Sequence, residues 1–248
     1  MSVRTTVVAS TLLWAAVAVL SGITPLAAHA QSLPDWKGIW IAEGLVADIS
    51  GFPPPGSRPW KLLGGDFPWN ETGRARLEAS FANYEDQKAD GWGFPMMMDS
   101  AAPMQFLITP GETLIINVYR DVRHIYTDGR DHPADEDRWP TTWGDSVGHW
   151  EGDTLVIDTI SVRDPTRYFF SSPPLSEGAH FIERIRMTGP DRIESVMTIN
   201  DPTTLSMPWV VELAYVRAAG LDRMINDDYA NDRSEVENGL FTILPPKE

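Results

Sequence analysis

The sequence predicts a mainly β fold, and three observations carry that prediction. From Met96 onward, apolar and polar residues alternate with a period of two in short runs, as they do on half-buried strands. Turn-forming pairs such as Pro110-Gly111, Asp128-Gly129 and Gly152-Asp153 separate these runs. An antiparallel meander of short strands that closes on itself leaves no exposed edges. The expected architecture is therefore an antiparallel β-barrel, with a two-sheet β-sandwich as the alternative.

The individual elements follow from the same patterns. The predicted strands cover residues 33–40, 105–109, 113–120, 122–127, 146–151, 154–161, 180–187, 192–200 and 209–218. Residues 44–70 are rich in Pro and Gly, which predicts a loop. Residues 71–87 carry the spacing of one short helix, and Met96, Met97 and Met98 are expected on a strand, pointing to alternating faces. A calycin-like or lipocalin-like barrel is the preferred form of this fold.

The N-terminus has the pattern of a secretory signal peptide over residues 1–30. Arg4 is its only charge, residues 7–20 are apolar, and Ala28-His29-Ala30 forms a small-residue cleavage site. The apolar run is shorter than the ~20 residues of a spanning helix, which disfavours the rival interpretation as a membrane anchor. We expect a secreted or periplasmic protein without membrane insertion after cleavage. Residues 31–248 are expected to form a single barrel domain, with a loop and helix extension over 44–95.

Composition limits the classes of partner and chemistry. The formal net charge of −15 disfavours nucleic acid as a partner, because the phosphate backbone would be repelled. The chain has no cysteine, which excludes thiol nucleophiles, Cys metal sites and disulfides. A small organic molecule is the expected ligand or substrate.

Residues 118–159 combine arginines, three histidines and three tryptophans with β-forming residues and Gly turns. Buried polar groups need partners, so we expect some of these side chains to line a cavity. His124 or His180 is the candidate general base and Tyr126 the candidate acid. Arg120 or Arg130 would bind a carboxylate or enolate oxygen of the substrate.

Glu183 is a further candidate, because it lies between Phe181 and Ile185 on the expected core face of its strand. It is either paired inward with an arginine, such as Arg120, or displaced by a β-bulge. We group Glu183 with the substrate-binding residues. Trp40, Trp143 and Trp150 are the candidate walls of the same cavity. The alternative for all of these residues is a polar layer whose members satisfy one another.

Other chemistries have weaker support. The Asp-rich loop 128–137 matches neither HExxH nor an EF-hand, so it is expected to be a solvated turn or at most a loose Ca²⁺ site. The chain lacks GxSxG, which disfavours a serine hydrolase. We therefore predict no metal and no cofactor.

Three classes of function remain open. The first is an exported, cofactor-independent lyase, isomerase or hydratase that acts by acid/base chemistry on a small organic or sugar-derived substrate. The second is a non-catalytic, lipocalin-like periplasmic binding protein for a small hydrophobic or anionic ligand. The third, a structural or envelope-interaction protein, leaves the polar strands unexplained. The first is favoured.

The chain also resembles a large, mostly uncharacterised group of secreted bacterial proteins. The resemblance rests on PMMMDSAAPMQFLITPGETLIINVYRDVRHIYTDGRDHP, TTWGDSVGHWEGDTLVIDT and HFIERIRMTGPDRIESVMTINDPTTLSMPW, and it spans roughly residues 35–238. The group shows a DGRxHP…GxWEGDTLVVDT-type motif. The resemblance implies an exported lipocalin-like β-barrel without established catalytic residues. Many members carry one Cys before the Pro-Met segment and another near the C-terminus, whereas this chain has none.

Overall fold

A computed structural model describes residues 33–43, 68–82, 93–99, 102–163, 165, 175–225, 234–237 and 240–243. The predicted signal peptide and most of the predicted Pro- and Gly-rich loop lie outside the described residues.

Nine of the described strands form a closed barrel. They are β1 Trp40–Ala42, β2 Met104–Ile108, β3 Glu112–Asn117, β4 Val122–Tyr126, β5 Asp145–Glu151, β6 Thr154–Ile160, β7 His180–Gly189, β8 Arg192–Asn200 and β9 Trp209–Arg217. Each strand pairs with the next along the chain, and β1 pairs with β9 to close the ring. The predicted mainly β barrel is confirmed.

The β4–β5 pair is parallel, whereas the other neighbouring pairs of the barrel are antiparallel. It is aligned at Tyr126 and Val147. Parallel neighbours cannot be joined by a tight hairpin, because the chain must first return to the other end of the sheet. Residues 127–144, here called the crossing loop, make that return and include one 3-10 turn at Asp135–Asp137. The meander therefore has an interruption that the turn signals do not reveal.

The smaller elements only partly match expectation. Helix α1 spans Glu71–Ala82 and confirms the predicted helix over that range, while 83–87 lie outside the described residues. The expected strand at the three methionines is wrong: Met96–Asp99 forms a short helix, α2, with Met97 N–H bonded to the Gly93 carbonyl at 2.9 Å. Strands β10 (Ser234–Glu237) and β11 (Leu240–Ile243) form a separate antiparallel pair. Neither described helix is long and apolar enough to cross a membrane.

Asn70 fixes where α1 begins. Its side-chain oxygen accepts a hydrogen bond from the Gly73 N–H at 2.9 Å, which satisfies one of the free donors of the first helical turn. Its amide nitrogen donates to the Thr203 carbonyl at 3.1 Å. The start of α1 is thereby attached to the turn between β8 and β9.

Side chains fill the interior of the barrel. Trp36 and Trp40 are fully buried, and the Trp40 indole N–H donates to the Trp36 carbonyl at 3.0 Å. Trp36 meets Phe106 and Trp150 edge to face, each with ring centroids 5.4 Å apart. Aromatic pairs in this arrangement add to the apolar area that they bury. The segment before β1, predicted as a strand, instead packs its tryptophan against the barrel core.

Candidate functional site

The barrel interior contains one fully buried ion pair. Arg123 on β4 donates to both carboxylate oxygens of Glu183 on β7, at 3.2 and 2.5 Å, and neither side chain is exposed. The same guanidinium donates to Thr159 at 2.9 Å and stacks on the Phe94 ring at 4.0 Å. Of the two alternatives for Glu183, inward pairing with an arginine is confirmed. The partner is Arg123 on β4, which is not a neighbour of β7, instead of Arg120.

This burial corrects the assignment of Glu183 and Trp40 to a substrate site. Glu183 uses both of its oxygens on Arg123, and Trp40 is sealed in the core with no exposed surface. Trp150 packs against the buried core, as does the partly buried Trp143 in the crossing loop. Because this part of the interior is occupied by packed side chains, these residues act as core rather than as the walls of an accessible cavity.

Arg120 is also displaced from its expected position. Strand β3 ends at Asn117, whose side-chain oxygen accepts from the N–H groups of Tyr119 and Asp121 and so forms the turn to β4. Arg120 is exposed in that turn with φ 68°, in the left-handed region that a non-glycine residue rarely adopts. The inward-facing arginine is therefore Arg123.

His124 and Tyr126 lie on the outer surface of the barrel. They alternate with the buried Arg123 and Ile125, and this alternation forces them outward. His124 Nδ1 lies 2.6 Å from a Glu112 oxygen, and its side chain is half exposed.

Arg130 of the crossing loop completes this outer group. Its guanidinium stacks on the Tyr126 ring at 4.1 Å and donates to Asp128 at 2.6 Å. Hydrogen bonds from Arg130 hold the pKa of the Asp128 carboxyl below its usual value. Of the predicted site residues, the structure thus brings His124, Tyr126 and Arg130 together, around a solvated surface rather than in a cavity.

A second polar cluster links the crossing loop to β5, β6 and β7. His132 Nδ1 lies 2.5 Å from an Asp145 oxygen, and His132 Nε2 lies 3.1 Å from Asp158 Oδ1. His180 Nε2 lies 2.6 Å from the same Asp158 oxygen. His132 is the most buried of the four, with 17% of its side chain exposed. We call these four residues the histidine–aspartate cluster.

The expectation that His124, Tyr126 and His180 share one interior cavity is wrong. All three point outward, and β4 and β7 are separated by β5 and β6. Three strand spacings separate the two groups by about 14 Å along the curved wall of the barrel. His180 therefore belongs to a different cluster from His124 and Tyr126.

His180 has the surroundings of a general base. Asp158 holds one ring nitrogen, and no hydrogen-bond partner of the other, Nδ1, is found among the described residues. A carboxylate that accepts from one nitrogen fixes the tautomer in which the other carries the lone pair. The side chain is 41% exposed, so that lone pair is open to a small molecule. In this arrangement, Nδ1 of His180 can accept a proton.

Sequence reasoning missed the other three members of the cluster. Asp158 alternates with the inward-facing Ile157 and Thr159, so its outward direction could have been predicted. The position of His132 could not have been predicted, because this residue lies on the crossing loop. Its contacts arise only when that loop folds back over β5 and β6. All three missed residues lie within or beside the DGRDHP, GDS and VIDT sequences.

Two further polar features lie outside this cluster. Arg184 donates to Glu151 at 2.6 Å, and hydrogen bonds from Arg184 and then His149 hold the pKa of Glu151 below its usual value. A cleft of about 530 Å³ is lined by Arg76, Pro165, Leu175, Ser176 and Glu177. Its volume falls in the range of small-molecule sites.

Within the described ranges, no three His, Asp or Glu side chains converge so as to hold a metal ion. Comparison with known proteins finds no matching protein-family model and no matching curated protein.

Proposed function

We propose that the protein is an exported enzyme that moves a proton on a small organic substrate, with His180 as the general base. Lyases, isomerases and hydratases that need no cofactor share such a step. A sugar-derived or other carbonyl compound is the proposed substrate class. The site is the outer surface around β6 and β7, in place of the barrel interior.

The observation that carries the proposal is the Asp158–His180 contact. The 2.6 Å separation orients the imidazole, and partial exposure leaves Nδ1 accessible. In the step that we propose, Nδ1 takes a proton from the carbon next to a carbonyl group, and the C–H electron pair becomes the enolate. Returning the proton to another position completes an isomerisation, whereas loss of a β-substituent with the electron pair completes an elimination.

The proposed step can be tested before the substrate is known. The mature protein would be incubated in D₂O with a panel of small ketones, 2-oxo acids and ketosugars, and deuterium incorporation next to the carbonyl followed by NMR. The expected result is protein-dependent exchange with at least one compound class. His180→Asn should slow this exchange by about 10²- to 10⁴-fold, the usual contribution of a general base.

His149→Asn is the matched control. His149 also lies on the outer face, but its Nε2 contacts Glu151, at 3.2 Å, instead of Asp158. This variant should catalyse deuterium exchange at the wild-type rate. The enzyme proposal is rejected if no compound incorporates deuterium in the presence of the protein. It is also rejected if His180→Asn catalyses the exchange as fast as wild type.

A non-catalytic binding function is the second candidate, and one observation favours it. Some buried polar atoms lack a hydrogen-bond partner among the described residues: Trp36 Nε1, Trp150 Nε1, Thr113 Oγ1, Arg123 Nε and Ser195 Oγ. Because side chains fill the interior, an acceptor-rich ligand would satisfy such donors only by displacing part of that packing. Each donor left without a partner costs about 1–3 kcal/mol.

Tryptophan fluorescence distinguishes the two candidates. Titration with short carboxylic acids should change the emission if an interior site exists, and Trp36→Phe should weaken the affinity by removing one donor while keeping an aromatic ring. Absence of any saturable change with these acids counts against the binding function.

A further inference from the structure

We propose that His132 is a positioning residue that fixes Asp158 and, through it, His180. The proposal rests on the function proposed above, because it concerns how the proposed base is oriented. His132 makes no contact with His180 itself; both imidazoles contact the same carboxylate oxygen of Asp158.

The crossing loop brings His132 to the strands. Because β4 and β5 run parallel, residues 127–144 must pass back along the outside of the barrel before β5 begins. His132 nevertheless has only 17% of its side chain exposed, because both edges of its ring face carboxylates. Arg138 supports this part of the loop by donating to the Pro133 carbonyl at 2.6 Å.

The two carboxylates are spaced to receive an imidazole. Asp145 pairs with Ile160 and Asp158 pairs with Val147, so the two aspartates are diagonal neighbours on one face of the β5–β6 pair. Diagonal side chains start about 7–8 Å apart, and two like charges at this separation repel each other. An imidazole between them can donate from both ring nitrogens when it carries two protons. His132 lies between the two carboxylates and contacts one of them through each ring nitrogen.

Positioning follows from the shared oxygen. Asp158 is 36% exposed on a strand surface, so without a second partner its carboxylate could rotate. His132 Nε2 at 3.1 Å restrains Oδ1 in the place where His180 Nε2 reaches it at 2.6 Å. A group that restrains a carboxylate also orients the imidazole that is hydrogen-bonded to that carboxylate. The His180 tautomer therefore depends on a residue of the crossing loop.

The test is the protonation pattern of His180 in full-length mature protein, measured by ¹⁵N NMR through the carbon-bound ring protons. In wild type, the neutral ring should carry its proton on Nε2. In His132→Ala, the His180 nitrogen signals should move toward the tautomer mixture of an unconstrained imidazole. Added free imidazole, which has the same two nitrogens, should restore the wild-type signals.

Asp145→Asn is the second variant, which keeps the proposal testable if His132→Ala does not fold. It removes one of the two carboxylates that hold His132, so it should shift the His180 signals in the same direction by a smaller amount. If His132 only attached the crossing loop to the barrel, its removal would leave the Asp158–His180 contact intact. Unchanged His180 signals in a folded His132→Ala protein, or in folded Asp145→Asn where His132→Ala does not fold, would therefore overturn the proposal.

The same variants separate this inference from the proposed function. If His180 is the base, His132→Ala should also slow deuterium exchange by about 10- to 100-fold, as expected when a catalytic group is misplaced. A shift of the His180 signals without any exchange activity in wild type would support the positioning role and reject the enzyme. Exchange activity with unchanged His180 signals would support the enzyme and reject the positioning role.

Discussion

At the scale of single residues, the pair of Arg123 and Glu183 has the largest consequences for stability. Neither side chain is exposed, and the partners come from β4 and β7, which are not neighbours in the barrel. Removing two charges from water is expensive, and their mutual attraction only partly offsets that cost. Each charge therefore depends on the presence of the other.

Glu183→Ala should lower the free energy of unfolding by about 3–5 kcal/mol, because it leaves the Arg123 charge buried and unpaired. Replacing both residues with apolar ones, Arg123→Met with Glu183→Leu, should cost much less than the sum of the single changes. Urea unfolding of the two single variants and the double variant measures this difference directly. Additive costs would show that the pair does not act as a unit.

The sequence reveals one half of this pair. Phe181 and Ile185 flank Glu183 at a period of two, and the structure confirms the inward direction that this predicts. The partner could not be predicted in the same way, because the contact crosses the barrel interior between strands with no common turn. Arg120 is a candidate partner of Glu183 only if β3 continues to it, whereas the Asn117 turn ends that strand earlier.

At the scale of elements, Asp201 ties together the segments before β7 and after β8. It is buried and accepts from the Ser176 N–H at 2.6 Å, the Ser176 hydroxyl at 2.8 Å and the Thr204 hydroxyl at 2.6 Å. Burial raises the pKa of Asp201, but hydrogen bonds from Thr204, Ser176 and Thr203 outweigh that effect and hold the pKa below its usual value of 3.8.

This depressed pKa makes part of the stability depend on pH. A carboxyl with a lower pKa in the folded state stabilises the protein above its unfolded-state pKa, and that contribution is lost as the pH falls through the folded value. Asp201→Asn should therefore cost about 2 kcal/mol near neutral pH and less below pH 3.8, where the carboxyl binds a proton more readily in the unfolded chain than in the folded protein. Urea unfolding across that range measures the difference. A cost that is independent of pH would contradict this account.

The junction between α1 and the β8–β9 turn allows a graded test. Asn70 both caps α1 and donates to the turn. Asn70→Asp keeps the cap oxygen but loses the amide donor, whereas Asn70→Ala loses both. We expect thermal stability to fall in the order wild type, Asp, Ala, with about 1 kcal/mol of the total from the cap. Equal losses in the two variants would show that the cap contributes nothing.

At the scale of the whole molecule, most strands of the barrel could be predicted, whereas the connection between β4 and β5 could not. Predicted and observed strand ends agree closely from β4 to β9, because alternation and Gly turns are local signals. The parallel β4–β5 pair depends on how the crossing loop folds over the barrel. The histidine–aspartate cluster depends on the same event, and for that reason the predicted site contained His180 but none of its partners.

Closure of the barrel depends on its shortest strand. β1 has three residues, which pair with Arg217, Val216 and Tyr215 of β9, and only Trp40 is aligned with β2. If β1 detaches, the edges of β2 and β9 become free to pair with other chains. The buried Trp36 and Trp40 would also lose their packing.

Ile41→Pro should therefore open the barrel, because proline disrupts strand pairing at the middle of β1. The expected result is concentration-dependent aggregation together with increased binding of a hydrophobic dye. Ile41→Val, which keeps the backbone donor and the branched side chain, should remain monodisperse in size-exclusion chromatography to the same degree as wild type. A soluble Ile41→Pro variant with an unchanged tryptophan emission would show that the other strands hold the barrel together without β1, because the indoles of Trp36 and Trp40 would have stayed buried.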